Sequence, residues 1–183
     1  MINLEERCAS FAMMCDGEGF KPSQHFVDWL RFEGFMSSPA STKYHGAYEG
    51  GLYDHSCAVY LRLAELTVNN HLVWQRPESP FIVGMFHDLC KYDQYKPIYD
   101  DGNSQNVRYE YNANTLLNGH GTKSVMLLSQ FITLTEEEVM CIRYHMGAYE
   151  KDDWSEFDRA IRMYPNVLWT HMADMLASKV DDI

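Results

Sequence analysis

The sequence predicts an all-α fold, a bundle of helices that carries one small β-hairpin. Three observations lead there. Apolar residues recur at helical spacing through most of the chain, as in Leu52, Val59, Leu63, Leu66 and Val73. Helix-start chemistry is plentiful: Thr135 followed by Glu138 makes a capping box, and Asn166 stands ahead of an apolar run as a cap. Between Tyr95 and Asn112 the pattern changes to two short β-favouring runs around the turn-forming DDGNSQN.

Taken in chain order, helices are expected over residues 4–15 and 22–33, the second opened by Pro22, whose missing N–H costs nothing in a first turn. The stretch MSSPASTKYHGAYEGG is rich in Ser, Gly and Pro and reads as loop with a short turn at most. The Leu52 stripe predicts a long helix over 52–75, with His55 on the same stripe. FIVGMF is apolar all round, so a helix over 79–91 should be a buried central element. After the hairpin, a helix over 119–131 places His120, Ser124, Leu127 and Phe131 on one face. The capping box opens a further helix toward Met146, and residues 155–164 form a short one closed by Pro165. The last helix carries Val167, His171, Asp174 and Ser178 on one side.

At 183 residues without an internal repeat or linker, the chain is expected to be one domain, residues 1–50 leading into a core over 51–183. A hydrophobic fraction of 46% and a charged fraction of 22% are ordinary for a globular protein. No apolar run approaches the roughly 20 residues of a membrane-spanning helix. The start, MINLEERCAS, lacks a basic segment followed by an apolar one, so a cytoplasmic location is expected. Five cysteines without a C-x-x-C pair read as reduced, mostly buried thiols rather than a disulfide frame or a thiolate zinc site. The net charge of −11 argues against duplex nucleic acid as a partner. An anionic ligand would then need a local cationic site, and a bound metal is the obvious source.

The candidate chemistry centres on His87-Asp88 inside FIVGMFHDLC. A carboxylate in such surroundings must be paired or bound to a cation, because an isolated buried charge is very costly. Imidazole and carboxylate together suit ions such as Mn, Fe, Co, Ni or Zn, with Mg as a harder alternative. A lone histidine on an apolar face is most often structural. Here, however, His55, His120, His145 and Asp174 supply one more ligand-type residue from each of the other core helices. Helical bundles build metal sites from facing helices in this manner.

The order His55, His87-Asp88, His120, His145, Asp174 resembles the HD-domain superfamily of metal-dependent phosphohydrolases, in its two-metal H…HD…H…H…D form. GGLYDHS, FHDLCK, GHGTKS and HMADMLASK are similar to the family's local motifs, and PASTKYHGAYEGGL is similar to the approach to the HD motif in bacterial 3′-to-5′ exoribonucleases and some relaxase-associated HD domains. The likeness spans Pro39 to Lys179. It implies an HD-domain helical bundle with the hairpin near the active site, one or two divalent cations, and phosphoester hydrolysis on a nucleotide or short oligonucleotide. By the same likeness, His55, His87, Asp88 and Asp174 would hold one cation, and Asp88 would bridge to a second held by His120 and His145. Asp88 and Lys91 are the catalytic candidates, Lys91 matching the lysine of an HDxxK variant thought to steady a phosphate oxygen. Read from the residues alone, Lys91 is equally a solvated lysine at a helix C-terminus.

Other positions stay open. His171 either supports a ligand or joins the ligands, sharing a helical face with Asp174. His45 either touches a substrate phosphate or packs its loop; His25 and His71 read as surface or structural. Tyr92, Tyr95, Tyr99, Tyr109 and Tyr111 either stack on a base or pack the hairpin, which is expected to roof the pocket. The nucleic-acid-acting members resembled carry an oligonucleotide-binding domain, for which residues 1–50 are too few, so a small substrate is expected. Two further readings keep the ligands but change the role: an HD-type di-iron oxygenase, and a non-catalytic metal-containing nucleotide-binding module.

Overall fold

A computed structural model of the chain describes residues 2–99, 107–115, 117, 119–147 and 154–183. Helices α1 (Leu4–Gly17), α2 (Gln24–Phe32), α3 (Gly51–Asn69) and α4 (Ser79–Phe86) precede a short 3₁₀ turn, Leu89–Asp93. Strands β1 (Tyr95–Tyr99) and β2 (Val107–Tyr111) follow, then α5 (Gly121–Leu128), α6 (Glu136–Tyr144), α7 (Trp154–Met163) and α8 (Asn166–Lys179). The all-α architecture with one small hairpin is thus present. The strands pair antiparallel, Pro97 opposite Tyr109, and the expected turn DDGNSQN lies outside the described residues.

α4 is the centre, as its all-round apolar sequence requires: every one of its residues is buried. α3, α6 and α8 pack around it, and α5 lies against α6. Close approach of α3 depends on Gly84, where a Cβ would lie 2.5 Å from the Tyr60 Cα. On the side away from the candidate ligands, α1 and α2 deliver Phe11, Phe26 and Leu30 onto Phe81 and Phe86. Phe26 also stacks on Phe131 at 4.8 Å between ring centres. No helix among the described residues is long and apolar enough to cross a membrane.

Several helix ends differ from the sequence reading, each for a local reason. Pro22 lies outside α2, because Ser23 is the cap and accepts the Phe26 N–H. α3 stops at Asn69 rather than Gln75. His71 takes a positive φ of 52°, and the Leu72 and His71 N–H groups return to the Thr67 and Val68 carbonyls, closing the helix in a Schellman motif. Val73 is consequently off the stripe and 86% exposed. The next helix ends at Phe86 instead of Lys91 and passes into the 3₁₀ turn. Asn166 does not cap α8; its amide donates to the Val73 carbonyl and to Glu137, tying the segment after α3 to α6 and α8. Thr135 and Glu138 do form both halves of the capping box. Glu138 additionally receives both Arg76 and the Ser79 hydroxyl, at 2.8 Å each, so the start of α6 is fastened to the start of α4.

Candidate metal centre

Two of the expected donors share one local design. His87 and His145 are the C-cap residues of α4 and α6, where the last carbonyls of a helix lack partners. Each ring folds back so that Nδ1 lies 2.8 Å from the carbonyl three residues earlier, Gly84 for His87 and Ile142 for His145. A carbonyl oxygen only accepts, so Nδ1 carries the hydrogen and Nε2 turns its lone pair inward. His55, from the buried face of α3, follows the same logic with the backbone oxygen of Ile183 at 2.8 Å. Such outer partners fix ring orientation in metal-ligating histidines.

The inward nitrogens meet two carboxylates. Asp174 reaches from α8, its Oδ1 3.2 Å from His55 Nε2 and 4.0 Å from His87 Nε2. Asp88 is almost wholly buried and two-sided. Its Oδ2 faces His87 Nε2 at 3.5 Å and His55 Nε2 at 3.9 Å, while Oδ1 faces His145 Nε2 at 3.3 Å and His120 Nδ1 at 4.0 Å. His120 stands at the N-cap position of α5 rather than inside it. All six expected ligands, His55, His87, Asp88, His120, His145 and Asp174, therefore converge.

Lys91 is not a solvated lysine. A 3₁₀ turn has three residues per turn and eclipses positions i and i+3, so the end of α4 at Phe86 brings Lys91 onto Asp88. The ammonium lies 2.6 Å from Asp88 Oδ2, and both groups are buried. Burial pushes the Lys91 ammonium toward neutrality, but the Asp88 charge outweighs it and holds its pKa above the ordinary lysine value. Burial pushes the Asp88 carboxyl up, yet Lys91 and the flanking imidazoles hold it well below the usual carboxylate range.

The donor set fits a divalent cation. Among the described residues, His55 Nε2, His87 Nε2 and His145 Nε2 are buried without a hydrogen-bond partner. Buried polar atoms are rarely left so, and a cation among two carboxylates would satisfy all three. Among the described residues, three overlapping groups each bring their donor atoms within 4.8 Å of one another: His55, His87 and Asp88; His87, His145 and Asp174; Asp88, Cys90 and His120. Burial pushes the His87 pKa down. At His145 burial acts in the same direction, but Asp88 and Asp174 overcome it and raise the imidazole above its ordinary value.

Asp88, Lys91, Asp174, His45 and His171 all line a cavity of about 140 Å³. Within its wall, the His45 ring lies 5.0 Å from that of His55, and burial, then the neighbouring His55, lowers the His45 pKa to about 4. His171 is not among the closely grouped donors; its Nδ1 donates to the backbone oxygen of His145 at 2.7 Å, which braces that ligand. A wider groove of about 630 Å³, lined by Lys43, Tyr44 and Tyr48, shares His45, Ser178 and Lys179 with the cavity. None of the described hairpin residues lines this cavity: the end of β2 borders a different one, of about 210 Å³, with His120 and Lys123. Tyr95 packs on Tyr111, and Tyr92 on Trp29. His25 packs on Phe131.

Two residues escaped the sequence reading. Cys90 was set aside as a packing thiol, yet its Sγ lies 3.8 Å from His120 Nδ1 and 4.0 Å from Asp88 Oδ1. Its position two residues after Asp88 was the available signal. Lys179 joins the pocket mouth from the end of α8, one turn beyond Met175, a helical spacing legible in the chain. Comparison of the chain with known protein families, curated proteins and solved structures gives no match.

Proposed function

We propose that the chain is a metal-dependent phosphohydrolase of the HD-domain kind, cleaving a phosphoester of a nucleotide or short oligonucleotide. The observation that supports this most is the trio of buried Nε2 atoms, unpartnered among the described residues, that face Asp88 and Asp174, two carboxylates lining one cavity with the Lys91 ammonium. His55, His87 and Asp174, with Asp88 Oδ2, would hold one cation; His120 and His145, with Asp88 Oδ1, would hold a second. Bound there, divalent ions would acidify a water and offset negative charge on phosphoryl oxygens.

The chain's own residues supply the remaining parts of the reaction. Lys91 is a fixed cation for a phosphoryl oxygen, and charge-assisted hydrogen bonds of this kind are the strong ones. Kept neutral by its depressed pKa, His45 offers the cavity a hydrogen bond rather than a charge, and its Nδ1 is buried without a partner. His171 acts indirectly by holding the His145 backbone. The cavity has room for a phosphoryl group, and the adjoining groove has room for a nucleoside, with the 77%-exposed Tyr44 available for stacking on a base.

The test uses protein stripped of metal and reloaded with Mn, Fe, Co, Ni, Zn or Mg. It is offered mono-, cyclic and dinucleotides and short RNA. Metal-stimulated release of phosphate or nucleotide is expected, and it should vanish in His87→Ala and Asp88→Ala. A metal-loaded protein that leaves the whole panel intact would overturn the proposal.

A further inference from the structure

We infer that Cys90 is a metal ligand and that it makes the outer cation position, the one facing Asp88 Oδ1, selective for a thiophilic divalent ion such as Zn, Co or Fe over Mg. The inference rests on the metal-centre part of the function proposed above and leaves the substrate aside.

The geometry carries it. Three donors, Asp88 Oδ1, Cys90 Sγ and His120 Nδ1, lie within 4.8 Å of one another, and a fourth, His145 Nε2, faces the same Asp88 oxygen. Cys90 Sγ stands 4.0 Å from Oδ1 and 3.8 Å from His120 Nδ1, and His145 Nε2 stands 3.3 Å from Oδ1. Tetrahedral coordination with bonds of about 2.3 Å to sulfur and about 2.1 Å to nitrogen or oxygen places sulfur about 3.6 Å from each other ligand, and the light donors about 3.4 Å apart. The observed edges lie within a few tenths of those lengths. His120 Nδ1 to Asp88 Oδ1, at 4.0 Å, is longer, and it joins the most exposed of the four residues, His120, to the centre.

Two observations set Cys90 apart from an ordinary core thiol. His145 Nε2, buried and unpartnered, is aimed at the same carboxylate oxygen, so the position already calls for a cation without reference to the cysteine. Cys90 is also held in place: its backbone N–H donates to the Ser124 hydroxyl at 3.0 Å, which ties the 3₁₀ turn to α5 and brings the turn up against His120. The inner position, built from His55, His87, Asp174 and Asp88 Oδ2, draws only nitrogen and oxygen. A sulfur on one side alone makes the two positions chemically unequal. Mg prefers a full octahedral shell of oxygens, whereas a thiolate with imidazole and carboxylate suits Zn, Co or Fe.

Cobalt(II) reports the ligands directly. Adding it to reduced, metal-free protein should produce visible ligand-field bands and a near-ultraviolet thiolate-to-cobalt charge-transfer band. Cys90→Ser should lose the charge-transfer band and keep the visible ones, and Cys90→Ala should behave alike. Cys141→Ser, which changes another buried thiol, should keep both. Zinc binding to the weaker of the two positions should fall about tenfold or more in Cys90→Ser, the scale of loss when a metal-site partner is removed. Visible bands without the charge-transfer band in the unaltered protein, or a charge-transfer band that survives Cys90→Ser, would overturn the role of Cys90 while leaving the metal centre standing. Absence of any cobalt spectrum would overturn the centre itself.

Discussion

Removing the cation should be felt as a loss of stability. Without it, His55 Nε2, His87 Nε2 and His145 Nε2 are buried and unpartnered. An unsatisfied buried polar atom costs about 1–3 kcal/mol, so the metal-free centre carries roughly 3–9 kcal/mol of strain against a total stability of about 5–15 kcal/mol. A divalent ion present at about a hundred times its dissociation constant adds about 2.7 kcal/mol. For 183 residues, with about 2.1 cal/mol/K of unfolding entropy per residue, that corresponds to a rise in melting temperature of about 7 °C. Calorimetry on chelator-treated protein, with and without Mn, Zn or Co, reads the shift. Asp88→Asn, which keeps the shape but loses the bridging charge, should show little of it. A melting temperature indifferent to every divalent ion, or an equal rise in Asp88→Asn, would refute the reasoning.

Two other outcomes follow from the pocket. Lys91→Gln should destabilise the metal-free protein by about 3–5 kcal/mol, because it strands the buried Asp88 charge. In the metal-loaded protein the same change should keep the cation and lower turnover about a hundredfold, the scale of losing one transition-state donor; unchanged turnover with intact metal content would remove Lys91 from the reaction. The His45 pKa falls from an ordinary 6.5 to about 4, so its contribution is present above the unfolded value and lost as pH drops through that window. Denaturant unfolding of metal-free protein should show a larger loss of stability between about pH 7 and pH 5 than His45→Gln shows, the excess being on the order of 1 kcal/mol once solvent screening of the half-exposed ring is allowed for. Equal pH dependence in the two proteins would contradict it.

The helices were legible wherever their signals were local. The capping box at Thr135 and Glu138, the apolar α4 and the hairpin all lie where their residues place them. Helix ends were less legible. Asn69 and Asn70 do not announce that the chain will turn through a left-handed His71, nor does Asn166 show that its amide will prefer Val73 and Glu137 to a cap. Both depend on what lies across the fold. Among the site residues, the six side chains that converge could be singled out because each is a ligand-type residue in a helical core segment and their order resembles that of a known family. Cys90 was less legible: its place two residues after Asp88 is a weak signal, because a buried cysteine packs equally well as a small apolar group.

By itself, then, the sequence determined the helical class, the hairpin and the inventory of donors, because periodicity and caps act within a turn or two of chain. Only the tertiary structure decided that Lys91 is buried against Asp88 rather than solvated, that the Asp88 oxygens face different imidazoles, and that a sulfur stands on one side. Those facts arise from helices far apart in sequence meeting at one place. A spacing rule, which reaches only along the chain, carries no information about which atoms will face each other across it.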